Sequence, residues 1–587
     1  MALAEPKLSP WYLRWLALGL VSFALAFVLL LPELLAYPKT PDGDGRFVFH
    51  QIEMGKAALR YYHELPLWNA FDCRGIPNWD HPESMTASPI LLLLTPFNGQ
   101  ITYFLWELVH TAMGFASMWV FARSDLKLSR AAAFAASGVW TFNESHTMQY
   151  IGAHSTFLTF YLAPLLVHLW RRAEEESWAG VALGALLAFM LYEGATYPLP
   201  FCLCLLALDA LVRVWPPRRL KKILRASVVT SFFALTLGGA RILPLLDQMA
   251  AHRRAMPPEA DHVARWNSLY HMYTLRQPLW YQRLPGQEYT WHEYNAYVGY
   301  LVLFVAAVGI TVAIREQTML VVVACLLFVL MLGHFFAYAP WSILRAYVPP
   351  FKGLRVPTRF RIPLAMYIAS FVGLAIDRFP RTYGRILPRN WQGALRVVLL
   401  GMALVGVGDM LGVGAEIVGL RYVNPPTEKV VTSRNFHFGG PGLGEFLDQP
   451  RQNRAWLGCR SYEWPSHTGA PVWEGDVPQG KIVSGDAQIV RVSRTHNTFT
   501  AEVHAISPGR IAFNTAHDRG WVTSVGKVVE DQELVAVEFP TGDHVIRARY
   551  WPRTLTVGMA MTVVGVLAAL GFAIQGGRRR RAAREGG

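Results

Sequence analysis

The chain has 587 residues, 52% of them hydrophobic and 16% charged, against about 25% charged in a typical soluble domain, so most of it is not an ordinary water-soluble core. The formal net charge of +14 does not mark a nucleic-acid binder, because the arginines and lysines cluster at the ends of apolar segments, where membrane topology accounts for them. Five cysteines are too few and too scattered for a disulfide framework or a CxxC metal site; only Cys73 and Cys459 fall in segments expected outside, where an oxidising compartment would permit one bridge.

Trp15 to Leu35 is the first apolar run. It exceeds the roughly 7 to 15 residues of a signal-peptide core and lacks a clean small-x-small cleavage site, so it reads as a retained first helix. Further stretches long enough to cross a ~30 Å hydrocarbon layer are expected at about 99–122, 131–150, 155–170, 178–192, 196–214, 226–245, 294–314, 318–338, 361–377, 395–415 and 554–575. That makes about twelve crossings. The 131–150 stretch is the weakest, since it loses its apolar character at Asn143-Glu144-Ser145-His146 and could be short, broken or re-entrant. With the N-terminus inside, the cation-rich loops alternate correctly: Arg123 to Arg130, Arg171 and Arg172, Arg213 to Arg225, Arg315, Arg378 to Arg396 and the tail Arg578 to Arg581 all land inside.

Four sizeable segments then lie outside: Ala36 to Ala87, Asp247 to Glu293, Ala339 to Phe360, and about Gly419 to Arg553. The last alternates in period two, as in Ile489-Val490-Arg491-Val492-Ser493 and Val545-Ile546-Arg547-Ala548-Arg549-Tyr550, with Gly, Pro, Asp and Asn turns between runs. It reads as a small β-sandwich. The expected organisation is a helical membrane domain over 1–418 with outer loops 36–87, 247–293 and 339–360, an extracytoplasmic β domain over 419–553, and a final helix with a basic tail over 554–587.

The first outer loop carries Pro41-Asp42-Gly43-Asp44-Gly45-Arg46, then a helical period from Phe47 to Leu65, then Trp68 to Glu83 with Asp80 and His81. Carboxylates placed straight after a first helix could deprotonate a hydroxyl acceptor or hold a divalent cation, Mg or Mn, through oxygen ligands; alternatively the string is a polar turn. Arg345, Lys352, Arg355, Arg359 and Arg361 lie in or beside an outer loop, against the positive-inside trend. Guanidinium groups so placed suit a lipid phosphate, or they anchor a helix end among headgroups. Arg355 and Arg359 sit four apart, but Pro357 argues against a helix there.

The 247–293 loop is rich in aromatic residues, which stack on sugars but also gather at membrane interfaces. Glu144, His146, His154 and Glu193 at helix ends are pocket candidates. No HxxxH or HExxH spacing occurs, so no zinc site is expected.

An acidic residue after the first helix, a surface helix, a G-x-P loop leading into Ser88-Pro89-Ile90, Glu293-Tyr294-Asn295-Ala296-Tyr297, Leu354-Arg355-Val356-Pro357-Thr358-Arg359-Phe360, and Asp518-Arg519-Gly520-Trp521 with Tyr550-Trp551-Pro552 follow one another in order. In this the chain resembles the YfhO-type bacterial membrane proteins, within the polytopic glycosyltransferases of GT-C fold. The resemblance runs along nearly the whole chain and implies a multi-pass protein of the bacterial cytoplasmic membrane with its site on the extracytoplasmic face. It implies an inverting transfer from a polyprenyl-phosphate sugar donor to a cell-envelope glycan or lipid. The general base would be Asp44, or failing that Asp42, with Arg355, Arg359, Lys352, Asp80, His81, Glu144 and His154 around the substrates. Many such enzymes carry two adjacent acidic residues, whereas Gly43 separates these two, which leaves the base and any metal requirement open. The competing readings are a transporter or flippase of lipid-linked glycans and a non-catalytic envelope scaffold; no internal repeat speaks for the former.

Overall fold

The computed structural model describes residues 11–41, 45–152, 154–214, 217–251, 266–277, 279, 281–283, 287, 289–383, 388–424, 436–439, 449–459 and 470–585. Asp42 and Asp44 therefore lie outside the described residues.

The chain enters through α1 (Trp11–Leu35), β1 (Thr40–Pro41) and the surface helix α2 (Gly45–Tyr61). A loop with the short strands β2 (Trp68–Asn69) and β3 (Ile76–Pro77) leads to α3 (Pro89–Leu94), whose first turn is capped by the Ser88 hydroxyl with Pro89 directly after it. The helical bundle continues with α4 (Gly99–Ser124), α5 (Arg130–Phe142), α6 (Glu144–Ile151), α7 (Ala163–Ala173), α8 (Ser177–Tyr192), α9 (Pro198–Arg213), α10 (Arg218–Leu237) and α11 (Gly239–Ala251). After α12 (Trp266–Thr274) come α13 (Gly299–Glu316), α14 (Thr318–Met331), the short α15 (Pro340–Tyr347) and α16 (Pro349–Lys352), then α17 (Arg361–Asp377), α18 (Phe379–Thr382) and α19 (Arg389–Leu420).

Five helices among the described residues are long and apolar enough to cross a membrane, or six if α10 and α11, bent by 82° at Gly238, form one span. These apolar helices mark a membrane protein, and the expected twelve crossings are not confirmed among the described residues. The difference has local causes. Asn143 ends α5 and its side chain caps α6 by accepting from the Ser145 amide at 3.2 Å, so 131–150 is two helices rather than one span. The 155–170 stretch begins as a 3-10 segment, Ser155–Leu162, before α7. α1 and α21 (Arg553–Glu585) present exposed Leu16, Leu20, Val557, Val563 and Leu567, the apolar surface a hydrocarbon layer would cover. α11 and α21 approach so closely that a Cβ on Gly239 would lie 2.7 Å from the Gly558 carbonyl oxygen, the small-residue contact common between membrane helices.

Beyond α19 the chain pairs β4 (Tyr422–Asn424) antiparallel with β1 and contributes β5 (His437–Phe438), α20 (Gln449–Gln452) and β6 (Arg454–Ala455). The remaining strands are β7 (Gly480–Ser484), β8 (Ala487–Arg494), β9 (Thr498–Ala505), β10 (Gly509–Ala516), β11 (Trp521–Thr523), β12 (Lys527–Asp531), β13 (Leu534–Phe539) and β14 (Gly542–Tyr550). They form two four-stranded antiparallel sheets, ordered β12-β13-β10-β7 and β11-β14-β9-β8. Phe499, Val503 and Ile546 of one sheet and Phe513, Val535 and Val537 of the other share a buried core.

The first outer loop is built into that core. Trp68 inserts among Trp521, Tyr550 and Phe499, with ring centroids 5.2 Å and 4.7 Å from the first two, and its indole donates to Thr515 Oγ1 at 3.2 Å. The Cys73–Cys459 disulfide is formed, and the Trp456 amide donates to the Phe71 carbonyl at 2.8 Å. On its other side the loop meets α11, where Trp79 Nε1 donates to the Ala240 carbonyl at 2.8 Å. The loop is thus a layer between membrane helices and sheets.

Candidate active site

The strand pair β1–β4 holds Pro41 beside the end of α19, and Gly45 at the start of α2 lies next to it. A Cβ on Gly45 would lie 3.2 Å from Nη2 of Arg421, the residue that follows α19. Arg421 is 2% exposed; its Nη1 pairs with Glu107 Oε1 of α4 at 3.0 Å, its Nη2 donates to the Tyr103 hydroxyl, and its plane stacks over the Tyr150 ring at 4.4 Å. Tyr150 of α6 donates to Glu33 near the end of α1. Glu33 and Glu107 are both buried and face the same guanidinium. Four helix ends and the first-loop strand therefore converge on two carboxylates, one guanidinium and three tyrosines, with Tyr422 in β4 the third. Buried ionic groups are costly in a membrane protein and are typically retained where they do something. One signal in the sequence pointed to them: Glu33 and Glu107 interrupt otherwise apolar runs, which marks an interior-facing site.

A second polar layer adjoins the first through α6. Gln149, next to Tyr150, donates to Glu293 Oε2 at 3.1 Å, and Ser155 is 2.5 Å from the Tyr103 hydroxyl. Arg359 is in this layer but is occupied: it forks onto Glu293, with Nε to Oε2 at 3.0 Å, and lies over the rings of Phe157 and Tyr197. Burial pushes the Glu293 carboxyl up, but Arg359 and His292 outweigh it and hold it well below the usual carboxylate range. Arg361 donates to the Asn295 and His292 carbonyls at 2.8 and 2.6 Å and so fixes the chain ahead of α13. His154 belongs to the same layer, its Nδ1 2.6 Å from Gln149 Oε1. The residues around Pro357 form a 3-10 turn, Pro357–Phe360, which separates Arg355 from Arg359: Arg359 is buried, whereas Lys352 and Arg355 are exposed and their side chains make no hydrogen bond or ion pair among the described residues.

Glu144 starts α6; its carboxylate is buried, makes no hydrogen bond among the described residues, and senses Asp409, Arg276 and Glu416. Asp80 and His81 are not brought to either layer. They sit at the loop–sheet junction: Asp80 Oδ2 accepts from Tyr550 at 3.0 Å, and the His81 and Ser84 carbonyls accept from Arg241 at 2.8 and 2.9 Å. Burial, reinforced by Asp518, raises Asp80 to about 7, and burial with Arg241 lowers His81 to about 3. Of the other candidates, Glu193 is buried and accepts from Ser88 Oγ and Trp106 Nε1, both at 2.7 Å, while His146 packs against Tyr161 and Trp140.

An apolar cavity of about 640 Å³ runs between α8, α9 and α10, from Trp170, Val214 and Ile223 at one end to Leu191, Leu199 and Ile242 at the other. Its polar lining is limited to Ser227, Thr230 and Ser231. The Leu199 end adjoins Tyr197, the residue under Arg359.

No protein-family model and no curated protein matches the sequence. Among solved structures, the chain is similar to ArnT from Cupriavidus metallidurans bound to undecaprenyl phosphate, at 13% identity and TM-score 0.44 over 76% of this chain and 85% of that one. It is also similar to the arabinofuranosyltransferase AftD from mycobacteria, at 16% identity and TM-score 0.42 over 69% of this chain; it spans 27% of the length of that protein.

Proposed function

We propose that the chain is a GT-C-like membrane glycosyltransferase that moves a sugar from a polyprenyl-phosphate donor to an envelope glycan or lipid on the extracytoplasmic face of the bacterial cytoplasmic membrane. In this reading Asp44, or Asp42, takes the proton of the acceptor hydroxyl as that oxygen attacks the anomeric carbon. The anomeric C–O bond to phosphate breaks with inversion, and the polyprenyl phosphate leaves as an anion. Among the described residues, the exposed Lys352 and Arg355 are cations that can meet it, and a guanidinium's planar fork suits phosphate oxygens. The isoprenoid chain takes the apolar cavity between α8 and α10.

The observation that carries the proposal is the anchoring of the acidic first loop, at Pro41 and Gly45, beside a buried Arg421–Glu107–Tyr103 cluster. Fixed charge held next to Pro41 and Gly45 supports a reading in which the first loop carries the general base. Sugar transfer by the purified full chain is the test: Asp44→Asn should cost about 10² to 10⁴-fold in rate while the melting temperature is unchanged, the loss typical of removing a general base. Wild-type rates in both Asp44→Asn and Asp42→Asn would overturn it.

A further inference from the structure

We propose that His154, His292 and Glu293 bind one divalent transition-metal ion, zinc by the chemistry of the donors. These residues come from two distant parts of the chain: His154 precedes the 3-10 segment Ser155–Leu162, and the other two lie in the turn Trp291–Glu293 ahead of α13. One ligand atom from each falls within 4.8 Å of the others. In a tetrahedral zinc site with bonds of about 2.0 to 2.2 Å, donor atoms are about 3.3 to 3.6 Å apart. His292 Nε2 and Glu293 Oε1 are already 3.6 Å apart, so modest side-chain rotation closes the set.

The surrounding hydrogen bonds orient the imidazoles for this task. Gln149 Nε2 donates to the His292 carbonyl at 3.0 Å and to Glu293 Oε2 at 3.1 Å, which fixes the amide so that its oxygen faces His154 Nδ1 at 2.6 Å. His154 Nδ1 must then be the protonated nitrogen, and its lone pair is on Nε2. The Thr290 hydroxyl, 2.7 Å from His292 Nδ1, can accept that proton in the same way and leave the lone pair on His292 Nε2, the atom that faces the glutamate. Oxygen partners behind each ligating histidine are the usual outer shell of a metal site.

Glu293 is the anionic ligand. Arg359 uses one lone pair on each carboxylate oxygen, and each oxygen has two, so Oε1 can serve both the guanidinium and the ion. With 14% and 4% side-chain exposure, His292 and Glu293 are desolvated but reachable. A dication beside Arg359 exceeds the single carboxylate's charge, so the fourth coordination position is left for water or an anionic oxygen. The two-histidine, one-carboxylate donor set favours zinc over magnesium or calcium, which prefer all-oxygen sites.

The inference does not depend on the transferase reading, since it concerns binding of the ion alone. The full chain, purified in detergent and stripped with chelator, is titrated with Zn²⁺ and with Mg²⁺ and assayed for bound metal by mass spectrometry and calorimetry. One Zn²⁺ per chain and little Mg²⁺ are expected, with affinity reduced by at least about 100-fold in His154→Ala and His292→Ala and by about 10 to 100-fold in Gln149→Leu, which keeps every ligand. X-ray absorption of the wild-type zinc form should show two imidazole nitrogens at about 2.0 Å. A wild-type chain that takes up no stoichiometric zinc, variants that bind it as the wild type does, or an absorption spectrum without histidine would each overturn the proposal, and the absorption measurement needs no variant to fold.

Discussion

Asp80 and His81 are neighbours in sequence, yet burial moves them in opposite directions, and the consequence can be worked out. Asp80 rises from 3.8 to about 7, so the folded state holds its proton where the unfolded state has lost it; this contribution is fully present below about pH 4 and is lost as the pH rises through about 7. His81 and His496, both pushed down to about 3 chiefly by burial, contribute stability above pH 6.5 that is lost as the pH falls toward 3. Between about pH 4 and 6.5 Asp80 offsets one of the two histidines. Asp80→Asn, which mimics the neutral acid, is therefore expected to exceed the wild type in melting temperature at pH 8, by a margin that shrinks as the pH falls from about 7 toward 4. A difference that does not vary with pH would contradict this. The Tyr550, Asp518 and Arg241 partners of Asp80 and His81, supplied from remote parts of the chain, were not legible in the sequence. Arg421 was equally hidden, since a single arginine just past a helix looks like a loop cation until Glu107 and Tyr103 are seen around it.

At the scale of elements, Trp68 is the wedge between loop and sheets. Its truncation to alanine removes a fully buried indole and its hydrogen bond to Thr515, and should cost about 3 to 5 kcal/mol of the stability of this region. Cys73→Ser, which opens the disulfide, should cost about 2 to 5 kcal/mol. Both act on one loop–sheet contact, so the double variant is expected to lose less than the sum; additive losses in denaturation of the full chain would mean that the loop is not a single layer. Strand β13 exposes only Glu538; strands β8, β9 and β14 were legible because exposure alternates along each and period two shows. β10 was not: from Ile511 to Ala516 it is buried throughout, since the loop carbonyl of Arg74 accepts from Ala516 at 2.9 Å and Thr515 meets Trp68 on the same strand. The break at Asn143 could be read from the Asn-Glu-Ser-His string, but the 82° bend at Gly238 could not, because hydropathy continues across it.

For the whole molecule, hydropathy reports how much of the chain avoids water, not how it is cut into helices, which is why membrane insertion was legible and the number of crossings was not. The disulfide, the loop layer and the strand pair β1–β4 tie the first outer loop and the sheets to the end of the bundle where Arg421 lies. The most direct measurement is a cryo-EM structure of the full chain with a polyprenyl phosphate bound. The expected result is density for the phosphate within about 3 Å of Lys352 or Arg355 and beside residues 42–44, with the isoprenoid chain between α8 and α10. Phosphate density on another face of the bundle, with that cavity empty and the 42–44 segment far from the headgroup, would contradict it.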